Sequence, residues 1–137
     1  MPSDFDVQVI EEYRANGGVL SGRFAGARML LLTTVGRHSG EPRTVPLAYS
    51  TDGDRYVVAG SFGGRDVDPA WVANLRADPT ATVEVGSDRF EAEVTVHDDG
   101  PERDRLFAAH AAAMPAFAGY QEKTTRTIPM VVLARQG

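Results

Sequence analysis

Apolar positions along the chain recur with two different periods, and the switching between them lays out the elements. Near the N-terminus Val9 and Tyr13, with Phe5, Val7 and Ile10 around them, share one side of a helical repeat. Glu11, Glu12 and Arg14 fall on the other side. This predicts an amphipathic helix over about 4–16, capped by Ser3 or Asp4 and ended by Asn16-Gly17-Gly18. Met29 to Val35 is an apolar run rich in β-formers, long enough for one buried strand. It breaks at Gly36, and a second strand resumes at Thr44 to Tyr49. Thr51-Asp52-Gly53-Asp54 is a hairpin signal leading into Arg55 to Ser61, so three antiparallel strands are expected in succession. Asp68-Pro69 opens a helix with Asp68 as N-cap, carrying Trp71, Val72, Asn74 and Leu75 and stopping near Asp78-Pro79. Thr80 to Val85 and Arg89 to His97 read as strands around Gly86-Ser87-Asp88. In the second, Phe90, Ala92, Val94 and Val96 alternate with polar residues, so one face is buried and the other wet. Asp99 to Ala113 is a long helix with Leu106, Phe107, His110 and Ala111 as its buried positions. Residues 116–125 form a short turn or helix, and Ile128 to Ala134 is a central strand, apolar throughout.

The resulting architecture is mainly β with helices (α+β). About six antiparallel strands, joined mostly by tight turns, roll into a small barrel, with helices outside it or over one end. The chain of 137 residues suits one domain spanning 1–137, without internal repeat or linker.

Composition narrows the functional classes. Cysteine is absent, which excludes a disulfide framework, a thiol nucleophile and thiolate metal ligands, and fits a cytoplasmic protein. The net charge of -5 argues against a general nucleic-acid binder. No apolar run is long enough to cross a bilayer, and the N-terminus lacks the basic and apolar blocks of a secretory signal. The first helix has a shape compatible with weak membrane association, although its polar face is acidic. Positive charge is local: Arg14, Arg23, Arg28, Arg37 and Arg43 all precede residue 44, and Lys123 is the single lysine.

Two stretches can carry chemistry. The turn between the first two strands, Gly36-Arg37-His38-Ser39-Gly40-Glu41-Pro42-Arg43, combines two arginines, a hydroxyl and two glycines. Backbone N–H groups freed in such a turn form an anion-binding concavity, and guanidinium suits phosphate or carboxylate. The alternative is an ordinary polar turn. The second stretch, Gly60-Ser61-Phe62-Gly63-Gly64, lets backbone approach a flat ligand, or is simply pliant. His38, His97 and His110 lie on different elements without metal-binding spacing, and the aspartates fall at turns and caps. No self-contained acid–base set emerges, so enzymatic chemistry would belong to a bound cofactor.

Four ordered motifs, LLLTTVGRHSGEPRTVP (30–46), YVVAGSFGG (56–64), PAWVANLRADPTATVEVG (69–86) and YQEKTTRTIPMVVL (120–133), together resemble the deazaflavin-dependent nitroreductase family. The resemblance covers about Val9 to Leu133. It implies a split β-barrel that binds coenzyme F420 and passes a hydride to a small electron-poor acceptor, a quinone or a nitro compound. It further implies that Arg37, His38, Ser39, Gly40 and Arg43 hold the phosphate and acidic glutamyl tail. Thr44, Val45 and Pro46 would run beside the ring, and Ala59, Gly60, Ser61 and Phe62 would contact it through backbone. Ala70, Trp71 and Asn74 would close the far side, and Tyr120 and Ser61 would supply catalytic hydroxyls to the acceptor. A homodimer is compatible with the resemblance. Alternatives of other classes are a non-catalytic F420, flavin or fatty-acid binding protein, and a reductase using FMN. Against the family's pattern, His38 and Glu41 stand where basic residues are frequent, which lowers the positive charge beside the tail.

Overall fold

The computed structural model describes residues 4–136. Among them the order is α1 (Asp4–Ala15), β1 (Met29–Val35), β2 (Pro42–Ala48), β3 (Ser50–Asp52) and β4 (Arg55–Ala59), then α2 (Ala70–Ala77), β5 (Thr80–Val85) and β6 (Asp88–His97). There follow α3 (Gly100–Ala113), α4 (Ala116–Glu122) and β7 (Met130–Arg135), with 3-10 turns at Gly22–Phe24 and Phe62–Gly64. Ser3 lies outside the described residues, as do the side chains of Asp4 and Phe5, so the cap and the Phe5 contact expected for α1 do too.

The strands form one sheet in the order β2-β1-β5-β6-β7-β4-β3, antiparallel throughout. The sequence reading expected about six strands and a continuous strand to Tyr49 that pairs across the Asp-Gly turn. Instead the chain breaks at Tyr49, whose N–H donates to the Arg28 carbonyl at 3.1 Å. The three-residue β3 then pairs with β4, Ser50 opposite Val57, at the other edge of the sheet. That single break dictates the shape. Laid flat at about 4.8 Å per strand, the two edges of a seven-stranded sheet would be about 29 Å apart. Ala48 and Ser50 are two residues apart in the chain and so within about 7 Å. The sheet must therefore curl into a split barrel.

Curling divides each inner strand between two compartments at a period of two. Leu30 and Leu32 of β1, Val58 of β4 and Val131 and Leu133 of β7 point into the barrel, where they meet Trp71, Val72 and Leu75 of α2. Val57, Ala59, Met130 and Val132 point the other way, against Leu106 and Ile128, with Phe107, Phe117 and Tyr120 at the margin. Leu31 faces out beneath Val9, Ile10 and Tyr13 of α1. Strands apolar at every position are those covered on both faces, and β6, covered on one, alternates.

Helix α1 is fastened as well as packed. The Tyr13 hydroxyl donates to the Met29 carbonyl at 2.9 Å and accepts from the Gly86 N–H at 2.7 Å. Arg14 makes a two-pronged pair with the largely buried Glu84, at 3.0 and 2.8 Å. Among the described residues no helix is long and apolar enough to cross a membrane.

Helix α2 begins at Ala70 after an extended Pro69, without a side-chain cap. The expected cap, Asp68, instead holds Arg76 at 3.0 Å and Arg126 at 2.6 Å. On α3 the reading missed Arg103, which is buried and donates through Nε to the Ile128 carbonyl at 2.9 Å.

His110 of α3 is fully buried, with Nδ1 2.6 Å from the Ser50 hydroxyl, Nε2 unpartnered, and its ring edge-on to Phe117. Burial pushes its pKa down from 6.5 to about 4. The unfolded chain therefore takes up a proton near pH 6.5 that the native state refuses until about pH 4. Stability is expected to fall as pH drops through that window, by about 1.4 kcal/mol per pH unit at most from this group. Urea unfolding at pH 7 and pH 5 should show a larger loss for wild type than for His110→Gln; equal losses would remove His110 as the cause.

Candidate active site

The turn after β1 is built by its own short-range bonds. Gly36 N–H donates to the Glu41 carbonyl and Gly40 N–H to the Gly36 carbonyl, both at 2.8 Å, and Gly40 takes φ +72°. The Ser39 hydroxyl accepts from the Glu41 N–H at 3.2 Å. It fills the space beside Gly36, where a Cβ would lie 2.6 Å from Ser39 Oγ. The bend is thus closed from inside. Among the described residues the His38 and Ser39 N–H groups donate to nothing.

Asn74 ties this turn to α2. It is 4% exposed, and its amide donates to Thr34 Oγ1 on β1 at 3.1 Å. Its Oδ1 accepts from both the backbone N–H and Nη1 of Arg37, each at 3.1 Å, and Arg37 Nη1 also reaches the Ala70 carbonyl at 3.4 Å. On the neighbouring strand Thr44 Oγ1 lies 2.7 Å from Thr33 Oγ1 across the β1–β2 pair.

Between the turn, β2, the start of α2 and the 60–64 loop lies a cleft of about 440 Å³. Arg37, His38, Ser39 and Arg43 line its polar side, and Val45, Phe62, Pro69, Ala70 and Trp71 its apolar side, with Thr44 and Asn74 between them. A lining that joins two arginines to aromatic rings suits a ligand with an anionic end and a flat end. A smaller groove of about 310 Å³ adjoins it under α1, sharing Arg43 and Thr44 and lined by Val7, Ile10 and Pro42.

Of the residues singled out from sequence, ten line this cleft: Arg37, His38, Ser39, Arg43, Thr44, Val45, Phe62, Ala70, Trp71 and Asn74. Gly40 and Pro46 belong to the same turn and strand without lining it. Ala59, Gly60 and Ser61 are buried behind the wall, and a Cβ at Gly60 would come within 2.8 Å of Val72 and 2.9 Å of Pro129. Tyr120 does not line the cleft either. Its ring packs on Phe117 at 5.3 Å in the compartment outside the barrel, and its carbonyl lies against Gly64. Gly36 of the singled-out turn lines the cleft as well; the reading from sequence takes Pro69 only as a helix start and misses Asp6, a carboxylate brought into the cleft by α1. No local signal marks Asp6, since only the packing of α1 on the sheet carries it there.

The 60–64 loop is strained where it meets the cleft. Phe62 takes φ +48° with its side chain exposed, and Arg65 lies over its ring at 4.6 Å. A bulky residue in the left-handed region costs about 1–3 kcal/mol, and such residues gather at ligand sites.

Comparison with known proteins supplies names for this arrangement. The family described as F420H(2)-dependent quinone reductase matches residues 7–135. An F420H(2)-dependent quinone reductase of Mycobacterium tuberculosis is 38% identical over 129 residues, covering 90% of this chain and 85% of that protein. Among solved structures, an F420-H2 dependent reductase superposes with a TM-score of 0.70 at 33% identity, covering 77% of this chain and 93% of the other. A protein described as a domain-swapped dimer superposes with a TM-score of 0.72 at 31% identity, covering 93% and 92%.

Replacing Asn74 by Ala leaves the Thr34 hydroxyl and the Arg37 N–H without their partner. The expected loss is about 1–3 kcal/mol of unfolding free energy, with faster amide exchange at Arg37. Unchanged exchange there would mean that the turn is held by something other than α2.

Proposed function

Because the chain belongs to the F420H(2)-dependent quinone reductase family, we propose that the cleft seats reduced coenzyme F420 between its cationic turn and its aromatic wall. Arg37, His38, Ser39, Gly40 and Arg43 hold the phosphate and glutamyl tail. Thr44 and Val45, backed by Pro46, would flank the ring on one side and Phe62, at the end of the buried Ala59–Ser61 segment, on the other, with Ala70, Trp71 and Asn74 closing it. The donor set fits such a group: two guanidiniums, an imidazole, a hydroxyl and the unpartnered N–H groups of His38 and Ser39 face one cleft. The coenzyme, when bound, supplies the hydride that reduces a quinone.

The chain's own part is binding, orientation and exclusion of water. Arg37 is held in place by Asn74 and Ala70, so little side-chain entropy remains to be lost when an anion arrives. Asp6 opposes the tail, which keeps affinity for the most highly charged tails in check. The groove under α1 is mixed, with Val7, Ile10 and Pro42 beside Glu11, Arg14 and Arg43, and its apolar part is where a quinone substituent would lie. The Tyr120 ring and the Ser61 hydroxyl stand off the cleft lining, and the part of these side chains is to pack and shape the loop; Tyr120→Phe is accordingly expected to hold kcat within about twofold. The domain-swapped relative makes a homodimer the assembly to look for.

The observation that carries this reading is the cleft itself, whose lining brings Arg37 and Arg43 together with Phe62 and Trp71. F420 should quench the fluorescence of Trp71, the one tryptophan, and reduced F420 should be oxidised when a soluble quinone is added under anaerobic conditions. Arg43→Gln is expected to weaken F420 binding about 10–100-fold through loss of a charged contact, with kcat at saturation little changed. A protein that neither binds F420 nor oxidises its reduced form would refute the reading, and tight binding without turnover would leave a binding protein.

A further inference from the structure

The connection from α4 to β7 carries a residue whose side chain is committed almost wholly to the loop on the ring side of the cleft. Arg126 donates through Nε to the Arg65 carbonyl at 2.8 Å and through Nη1 to Asp68 Oδ1 at 2.6 Å. Its Nη2 donates to the Ser61 carbonyl at 2.9 Å and to the Gly60 carbonyl at 3.1 Å. The connection is itself pinned from the opposite side. Gln121 donates to the Arg126 carbonyl at 2.7 Å and accepts from the Ile128 N–H at 3.0 Å and from the buried Arg103 at 2.6 Å. The Thr124 hydroxyl donates to Asp66 at 2.8 Å. Arg126 is therefore a rigid fork on a fixed base.

We propose that Arg126 is the positioning residue for the redox ring, because it turns the 61–62 peptide unit so that the Phe62 N–H is presented as a ring donor, and fixes the 60–61 unit behind it. This rests on the reading that the ring lies against the Ala59–Phe62 strand end. In a planar trans peptide the carbonyl and the N–H point in opposite directions. Drawing the Gly60 and Ser61 carbonyls onto Arg126 directs the N–H groups of Ser61 and Phe62 away from it. Among the described residues neither N–H has a partner, and Phe62 lines the cleft. Backbone bonds hold the ends of the segment, Gly60 N–H to the Pro129 carbonyl and Gly64 N–H to the Ser61 carbonyl, both at 2.9 Å, and Arg126 adds the side-chain grip on a stretch that carries Gly63 and Gly64 at φ +64° and +86° beside the strained Phe62. A lysine at 126 would keep the charge but could not satisfy four acceptors in one plane. Through Asp68, which also holds Arg76 of α2, the same fork sets this loop in register with the helix that bears Trp71 and Asn74.

The test compares Arg126→Lys with wild type in binding F420 and a deazaflavin lacking the phosphate and glutamyl tail, followed by Trp71 fluorescence. Both affinities should fall by about tenfold or more, the size of a lost charged hydrogen-bond set, while Arg43→Gln should weaken only the tailed ligand. Amide exchange at Ser61 and Phe62 should quicken in the unliganded Arg126→Lys protein, with strand β5 unchanged. Unaltered binding of the tail-less ring, or a loss confined to the tailed ligand, would overturn the proposal. If Arg126→Lys does not fold, Asp68→Asn removes the charge from one acceptor and should give the same pattern in smaller measure; unchanged binding of the tail-less ring there overturns it equally. Wild type binding neither ligand would bring down the coenzyme reading and this one together, whereas wild type binding both with Arg126→Lys unaffected overturns this one alone.

Discussion

A sheet whose two edge strands are separated by one residue has to close on itself. β2 and β3 are the outermost strands on opposite sides, and only Tyr49 lies between them. Everything else in the molecule accommodates that constraint. The inner strands acquire two covered faces, so they are apolar at consecutive positions. The open end of the barrel is stopped by Trp71, Val72 and Leu75 of α2. The helix used as a stopper also brings Asn74 against Thr34 and Arg37, so closing the barrel and anchoring the turn between β1 and β2 are parts of one packing solution.

The electrostatics follow from that placement. A chain of net charge -5 concentrates two guanidiniums and an imidazole on one wall of a cleft, where they act on a ligand over a few ångströms and the acidic remainder acts only through screened distance. The arginines divide by role. Arg37 and Arg43 line the cleft. Arg126, Arg103 and Arg76 are spent on carbonyls and carboxylates that hold loops and helices in register, at 2.6 to 3.2 Å, apart from the Arg76–Asp98 pair. Guanidinium serves both purposes because its planar fork reaches several acceptors at once, which explains why a protein with a single lysine has so many arginines in structural positions.

Local pattern was enough to place most elements and the turn that lines the cleft. Periods of two and 3.6 residues, an Asp-Gly pair, and Gly36 and Gly40 bracketing Arg37 to Ser39 act between near neighbours, so no folded context is needed to interpret them. The motifs that carry the family resemblance are of the same short-range kind. Long-range geometry was beyond that reach. The break at Tyr49 looks like continuous strand because either edge of the sheet would accept its residues, and only closure of the barrel sends β3 to the far side. Tyr120 drew attention as the hydroxyl of its motif. In the fold its ring packs on Phe117, while Thr124 and Arg126 of the same motif reach the 60–68 loop and Gln121 holds the Arg126 carbonyl. Asp6 entered the cleft from about thirty residues away along the chain. Each of these depends on which surfaces meet after collapse, and meeting is a property of packed volumes and satisfied hydrogen bonds, which linear order does not encode.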